Sequence, residues 1–286
     1  MKAHGRGETE NPPKIGVHPQ PDAFIHAMPG LMGSGITGVK CVSGYPDNPS
    51  RGLPHVLGLL LLLDAETGVP LALMECGWVT AARTAAATAL FVRECASSGA
   101  EVVGILGAGV QARAIVPAVC HTCPELRRVI VYDPSARAID QFMAEVRDGC
   151  PAEIVTADSV RGAVEPADII IGATGPVIGP LTRNEWFRPG ALLVSVGYGL
   201  GEEVMHFADR VLTTDTKQMA AFAGVPLPPI HAELGEVLLG LKPARLSEEE
   251  RVFARNSGLT ICDLAVGQAV FETARAAGIG RWLPLF

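Results

Sequence analysis

The run "AEVVGILGAGVQARAIVPAVC", residues 100–120, decides the architecture. Val102 to Leu106 is a short, unbroken apolar stretch of the kind that lies inside a parallel sheet. It enters a glycine-rich turn and then a helical pattern, with Gly107, Gly109 and Ala112 in the GxGxxA arrangement. Gly107 permits the tight turn, Gly109 lets the backbone approach a pyrophosphate, and Ala112 lets helix and strand pack closely. Asp133 ends the next strand, 21 residues beyond Ala112, where an acid accepts hydrogen bonds from an adenosine ribose. Strand, turn, helix and acid in this order read as a dinucleotide site. A carboxylate at Asp133 repels a 2′-phosphate, so NAD is favoured over NADP, with Arg137 as the nearby cation that a phosphate would reach.

Outward from this unit, strands at "RVIVYD", "AEIV", "ADIIIGAT", "ALLVSVG" and "RVLTTD" alternate with helical or loop segments. That alternation predicts an α/β fold with a Rossmann-type doubly wound parallel sheet. "GATG" (172–175) and "SVGYG" (195–199) follow strands of the same sheet, where loops line the ligand crevice. Upstream, residues 1–55 are rich in Pro and Gly, with "AFIHAM" and "GVKCV" as strands. "HVLGLLLLLDAETGVPLALMEC" reads as a β-hairpin, and Thr80 to about Ser97 as a helix. The tail "GLTICDLAVGQAVFETARAAGIG" reads as a short strand and an amphipathic helix, with Asp263 complementing the dipole of its first turn. The expected organisation is an α+β substrate-binding and dimerisation domain from residues 1–97 and 260–286, and an NAD-binding Rossmann domain from 98–259.

At 286 residues, 48% hydrophobic and 19% charged, the chain is long enough for one large domain or two modest ones. A net charge of −7 argues against nucleic-acid binding, which needs a basic face. The longest apolar run, "VLGLLLLL" (56–63), is far short of a bilayer span, and the polar start "MKAHGRGETENPPK" is unlike a signal peptide. The expectation is a cytoplasmic protein. Seven scattered cysteines read as reduced thiols, and "CHTC" (120–123) as helix-end thiols with no second ligand pair, so no metal is expected.

"WVTAARTAAATAL" (78–90) places Arg83 in a run of small residues built for close packing. A guanidinium cannot shed its charge, and burying it is costly without an anion. Something negative has to meet it.

Taken together, "GVK" (38–40), "RGLP", "DAETGVPLAL", "VTAARTAA", "GAGVQA", "ELGEVLLG" and "GLTICDLAVGQAV" resemble the ornithine cyclodeaminase and mu-crystallin family, in the same order from about Pro12 onward. The resemblance implies a Rossmann domain paired with a substrate domain that dimerises by joining sheets. It also implies use of NAD(H) or NADP(H) for cyclodeamination, amino-acid dehydrogenation or imine reduction. Carried over residue by residue, Arg83 contacts the cofactor and the anionic side of the active site. Lys40 binds the substrate carboxylate near the reacting carbon, and Lys14 stands where many members use an arginine for the same carboxylate. Gly258 borders the substrate. His55 falls near the nicotinamide as a candidate acid or base. Val110 and Gln111 lie beside the pyrophosphate, Thr174 and Ser257 reach the cofactor, and Val194, Ser195, Val196 and Gly197 line its nicotinamide half.

Two departures stand out. The aspartate that ornithine cyclodeaminases place shortly after the strand ending here in "VSVG" is absent, the chain reading "GYGLGEEV" instead, and the helical stretch usual upstream of "PPK" is missing. The expected activity is therefore hydride transfer between NAD and the α-carbon of a small amino or imino acid, by a homodimeric imine reductase or amino-acid dehydrogenase. A 2-oxo acid is the alternative form of substrate. The alternative activities are ornithine-type cyclodeamination and non-catalytic binding of dinucleotide or small molecule.

Overall fold

The computed structural model describes residues 1–33, 35–175, 181–221 and 223–284. Contacts group these into two compact units, Gly7–Arg83 with Leu259–Phe286, and Met1–Arg6 with Thr84–Gly258.

The Gly7–Arg83 unit is built on an antiparallel sheet of β1 (Thr9–Glu10), β2 (Ile15–Val17), β3 (Phe24–Met32), β4 (Ile36–Gly44), β5 (Val56–Asp64) and β6 (Pro70–Glu75). β1 and β2 both pair with β3, and the order continues β3-β4-β5-β6. The β5–β6 turn is held by Asp64, whose Oδ1 accepts from the backbone N–H of Glu66 and Thr67 and from the Thr67 hydroxyl. Such a turn fixes the hairpin register.

Register puts Met28, Lys40, Leu60 and Met74 in one row across the sheet, and Ala27, Cys41, Leu59 and Glu75 in the next, on the opposite face. Helix α9 (Thr260–Ala276) covers the first face. Glycines permit that approach: a Cβ on Gly30 would meet Thr260, one on Gly38 would meet Leu264, and Leu60 fills the space beside Gly267. "GLTIC" was expected to begin with a strand; instead helix starts at Thr260, because Ile261 and Leu264 are buried at helical spacing.

The other unit carries an all-parallel sheet of β7 (Val102–Leu106), β8 (Arg128–Tyr132), β9 (Glu153–Thr156), β10 (Ile169–Gly172), β11 (Leu192–Ser195), β12 (Arg210–Thr213), β13 (Ala232–Glu233) and β14 (Val252–Arg255). Its order is β13-β12-β14-β11-β10-β7-β8-β9. Two apolar clusters flank it. The order turns back between β7 and β10, the switch point at which ligands bind in such sheets. β14 was not anticipated: "VFAR" is only four residues, bounded by arginines, yet its first three are fully buried.

The contact boundary falls after Arg83, inside helix α2 (Gly77–Cys95), rather than at the expected 97/98. From Thr84 onward the helix belongs with the parallel sheet: Ala85, Ala89, Phe91 and Val92 enter its core, and the Asn256 side chain donates to Thr84 O and Thr88 Oγ1. Residues 1–6 also join that unit. The short helix α1 (Lys2–Gly5) packs on α8 (Leu234–Leu238), and His4 Nε2 lies 3.0 Å from Asp215 Oδ2. A Cβ on Gly235 would lie 2.9 Å from Gly5 Cα and 3.0 Å from Met1 O. Gly235→Ala is therefore expected to cost about 1–3 kcal/mol through overpacking, read as a lower urea midpoint; an unchanged midpoint would mean that α1 does not dock there.

Cys120 and Cys150 form a disulfide with Cα atoms 5.6 Å apart, which corrects the reading of all seven cysteines as free thiols. They are 30 residues apart in sequence, and only the fold brings them together. Cys123, the other member of "CHTC", is a buried free thiol. No helix among the described residues is long and apolar enough to cross a membrane.

Candidate active site

Lys40 lies mid-strand on β4 with its side chain 1% exposed, under the first turn of α9. There Asp263, 0% exposed, takes both of its partners: Lys40 Nζ donates to Oδ2 at 2.6 Å and Arg83 Nε to Oδ1 at 3.0 Å. The negative group that Arg83 required is thus a carboxylate 180 residues away in the chain. Two cations share this one acid, and with both charged the buried cluster carries one positive charge in excess. Burial, and next the charge of Arg83, pull Lys40 down to about 8 against the opposing effect of Asp263. An ammonium of that strength is mostly charged at neutral pH and close to releasing its proton.

The other expected substrate residues are Lys14, His55 and Gly258. Lys14 is half-buried just before β2, and its charge acts on His26. His55 precedes β5, its carbonyl accepting from Tyr45 N–H, and its ring makes no hydrogen bond with Lys40, Arg83 or Asp263. Gly258 is half-buried in the loop between β14 and α9.

In the parallel-sheet unit, Gly107 has φ +98°, and a Cβ there would come within 2.8 Å of Ala173 O, so only glycine fits. Gly109 is the N-cap of α3 (Val110–Thr122) and faces open space. Ala112 is fully buried, while Val110 is exposed. Asp133 ties the turn together: Oδ2 accepts from Ala108 N–H and Oδ1 from Ser135 N–H. At neighbouring strand ends, Thr174 bridges to Tyr198, and Ser195 Oγ accepts from Arg255 Nη1 at 2.7 Å. Val194 and Ser195 are buried, with Val196 and Gly197 following in the loop. The Ser257 carbonyl accepts from Thr214 Oγ1 at 2.6 Å.

These residues fit a dinucleotide. Gln111 Oε1 and Thr174 Oγ1 are buried without a hydrogen-bond partner among the described residues. Such orphans are expected where a polar ligand completes them. Gly109 leaves room for a pyrophosphate at the start of α3, where backbone N–H groups and the helix dipole favour an anion.

Three residues escaped the sequence reading. Asp263 was assigned only to a helix dipole, because no local pattern announces a partner so distant. His26 sat unremarked inside "AFIHAM". Arg255 fell on the unrecognised β14.

A glycine turn at the switch point of a parallel sheet, with an acid on the next strand, defines a dinucleotide-binding protein. The chain belongs to the ornithine cyclodeaminase/mu-crystallin family, whose model matches residues 1–278. It is 33% identical to the nodulation efficiency protein NfeD of Rhizobium meliloti, over 98% of this chain and 89% of that one. Among solved structures it is similar to the Thermococcus litoralis Δ1-pyrroline-2-carboxylate reductase in complex with NADH and L-proline, at TM-score 0.88 and 32% identity over 97% and 91% of the two chains. It is also similar to an archaeal alanine dehydrogenase dimer with bound NAD, at TM-score 0.88 and 28% identity over 100% and 91%.

Proposed function

We propose that the chain reduces a small α-imino acid to the amino acid, in the cytoplasm and as a homodimer. It is an NAD-dependent oxidoreductase of the imine reductase and amino-acid dehydrogenase kind, moving hydride between nicotinamide and the α-carbon of its substrate. The observation that carries the role of each residue is the Lys40–Asp263–Arg83 cluster. Its excess positive charge suits one carboxylate, and the substrate's α-carboxylate supplies it, held by Lys40 and Arg83 while Asp263 keeps both cations in place. A carboxylate so bound aligns the adjacent imine carbon, and orientation of this kind supplies much of a rate enhancement.

NAD(H), when bound, supplies or takes up the hydride. Gly107, Gly109, Val110, Gln111 and Ala112 shape its pyrophosphate end, with Asp133 at the ribose. Thr174, Val194, Ser195, Val196, Gly197 and Ser257 hold the remainder. Reduction adds hydride to the carbon and leaves the nitrogen a neutral amine if the imine enters protonated, so the protein need only keep that iminium charged. The segment after β11 reads "GYGLGEEV" without an aspartate, which favours this single transfer over cyclodeamination, whose ring closure and ammonia loss need further proton handling. We assign His55 no part in the carboxylate cluster.

The homodimer reading rests on the sheet face opposite α9. Ile15, Leu59 and Leu73 are 70%, 50% and 64% exposed on it, and β6 is an edge strand among the described residues. An apolar face of this extent marks an interaction surface, and the alanine dehydrogenase to which the chain is similar is a dimer.

The test is steady-state NADH oxidation by the purified protein with cyclic imino acids, and with 2-oxo acids in the presence and absence of ammonium. Sustained oxidation that requires an imine is the expected result, with kcat/KM falling above about pH 8 as Lys40 loses its proton. No oxidation with any imine, in protein that binds NADH, contradicts the reading.

A further inference from the structure

Arg245 shows what an arginine built into this fold looks like. Half-buried beyond α8, it donates from Nε and Nη2 to Cys95 O, from Nη2 to Gly190 O, and from Nη1 to the carbonyls of Ser247, Glu248 and Glu250. Its donors are spent on the backbone. Arg255, the last residue of β14, is also half-buried, yet among the described residues it forms no ion pair. Its guanidinium makes one hydrogen bond there, from Nη1 to Ser195 Oγ at 2.7 Å.

A guanidinium presents a fork of N–H donors and keeps its charge. Burial acts most strongly on Arg255 and pulls its pKa down, with Glu202 and then Tyr198 opposing it. One neutral hydroxyl compensates poorly for taking such a group out of water. What the hydroxyl supplies is aim. Because Ser195 Oγ accepts from Arg255, its own hydrogen turns to the Gly197 carbonyl, 3.4 Å away, and this ties the guanidinium to the loop after β11. The remaining donors are left for a group from outside the fold.

Position says which group. Register places Arg255 beside Ser195 on one side and Thr213 on the other, at the carboxyl ends of β11, β14 and β12. A dinucleotide lies across such strand ends at the switch point. Asp133 after β8 takes the adenosine ribose and the turn after β7 the pyrophosphate, so β10, β11 and β14, which continue the sheet the other way, lie under the other half. That half carries the nicotinamide, whose carboxamide oxygen is a strong acceptor.

We propose that Arg255 binds the carboxamide oxygen of the nicotinamide, with Ser195 holding the guanidinium in register. The proposal rests on the reading of Val194 to Gly197 as the nicotinamide side of the site. A ring gripped by its carboxamide is fixed about its glycosidic bond and offers one face for hydride transfer, which is orientation of the kind that raises a rate.

The experiment is calorimetric titration of the protein with NADH, with thio-NADH, in which sulfur replaces the carboxamide oxygen, and with ADP-ribose, which lacks the ring. Sulfur is the weaker acceptor, so the wild type is expected to bind NADH about tenfold or more tighter than thio-NADH, as the loss of a hydrogen bond to a charged group implies. In Arg255→Met the two are expected to bind nearly alike, while ADP-ribose binds as in the wild type. If Arg255→Met does not fold, Arg255→Lys, which keeps the charge without the fork, replaces it, and a preference between those extremes is expected. A preference for NADH unchanged in the folded variant overturns the proposal, and so does equal affinity of the wild type for NADH and thio-NADH. ADP-ribose weakened as much as NADH in the variant overturns it too, by making Arg255 part of the fold alone. Wild-type protein that binds neither NADH nor ADP-ribose would instead sink the cofactor reading on which the proposal stands.

Discussion

Lys40→Met is expected to lower kcat/KM for the imino acid about a hundred- to a thousandfold while NADH binds as tightly as before. The side chain keeps most of its length and loses its charge, and Arg83 and Asp263 remain as a matched pair, so the buried cluster stays balanced and the fold is retained. What disappears is the excess positive charge that a carboxylate completes. Truncating one partner of a buried, hydrogen-bonded charge pair costs about 2–5 kcal/mol, and each 1.4 kcal/mol or so is tenfold in rate. Lys40 belongs to the Gly7–Arg83 unit and the glycine turn to the other, so NADH fluorescence titration should be unaltered. Activity retained in this variant would remove Lys40 from the substrate site.

Asp263→Asn is expected to act in the opposite sense, on the fold more than on any single ligand. It leaves Lys40 and Arg83 facing each other in a site where the Asp263 side chain is fully buried. Breaking such a pair from one side costs about 3–5 kcal/mol, because the charge left behind is uncompensated. Asp263 is also what holds Lys40 up to about 8, against burial and the charge of Arg83. Without it Lys40 releases its proton at lower pH, so the alkaline fall in kcat/KM moves toward neutrality. Urea unfolding and the pH profile check the two effects separately. Unchanged stability together with an alkaline limb still near pH 8 would show that Asp263 does not bear the load.

The parallel-sheet unit was legible because its signals are local. An apolar strand, a glycine turn and a helix stand consecutively from Val102 to Thr122, and the acid that ends the next strand is a fixed distance further on. Backbone geometry then explains the glycines one by one, as at Gly107 with its positive φ. In the Lys40–Asp263–Arg83 cluster, the family resemblance supplied Lys40 and the residues alone raised a question about Arg83, whose answer, Asp263, lies on α9. Alternation could say that Lys40 and Cys41 face opposite ways. It could not say which face α9 would cover, and that choice is what buries Lys40 and leaves Cys41 exposed. β14 and the Cys120–Cys150 bond were hidden for the same reason: a four-residue strand and a pair of thiols acquire meaning only from distant neighbours. His26 carried no sequence signal beyond being a polar residue in an apolar strand, a position at which a buried group needs a partner.

The central claim is that hydride passes directly between nicotinamide and the α-carbon of an imino acid. The most direct measurement is turnover of a cyclic imino acid with NADH deuterated at the transferable position, followed by mass and NMR analysis of the amino acid formed. The account requires one deuterium per product molecule, on the α-carbon and in a single configuration. Product free of deuterium, or with label elsewhere, would contradict it.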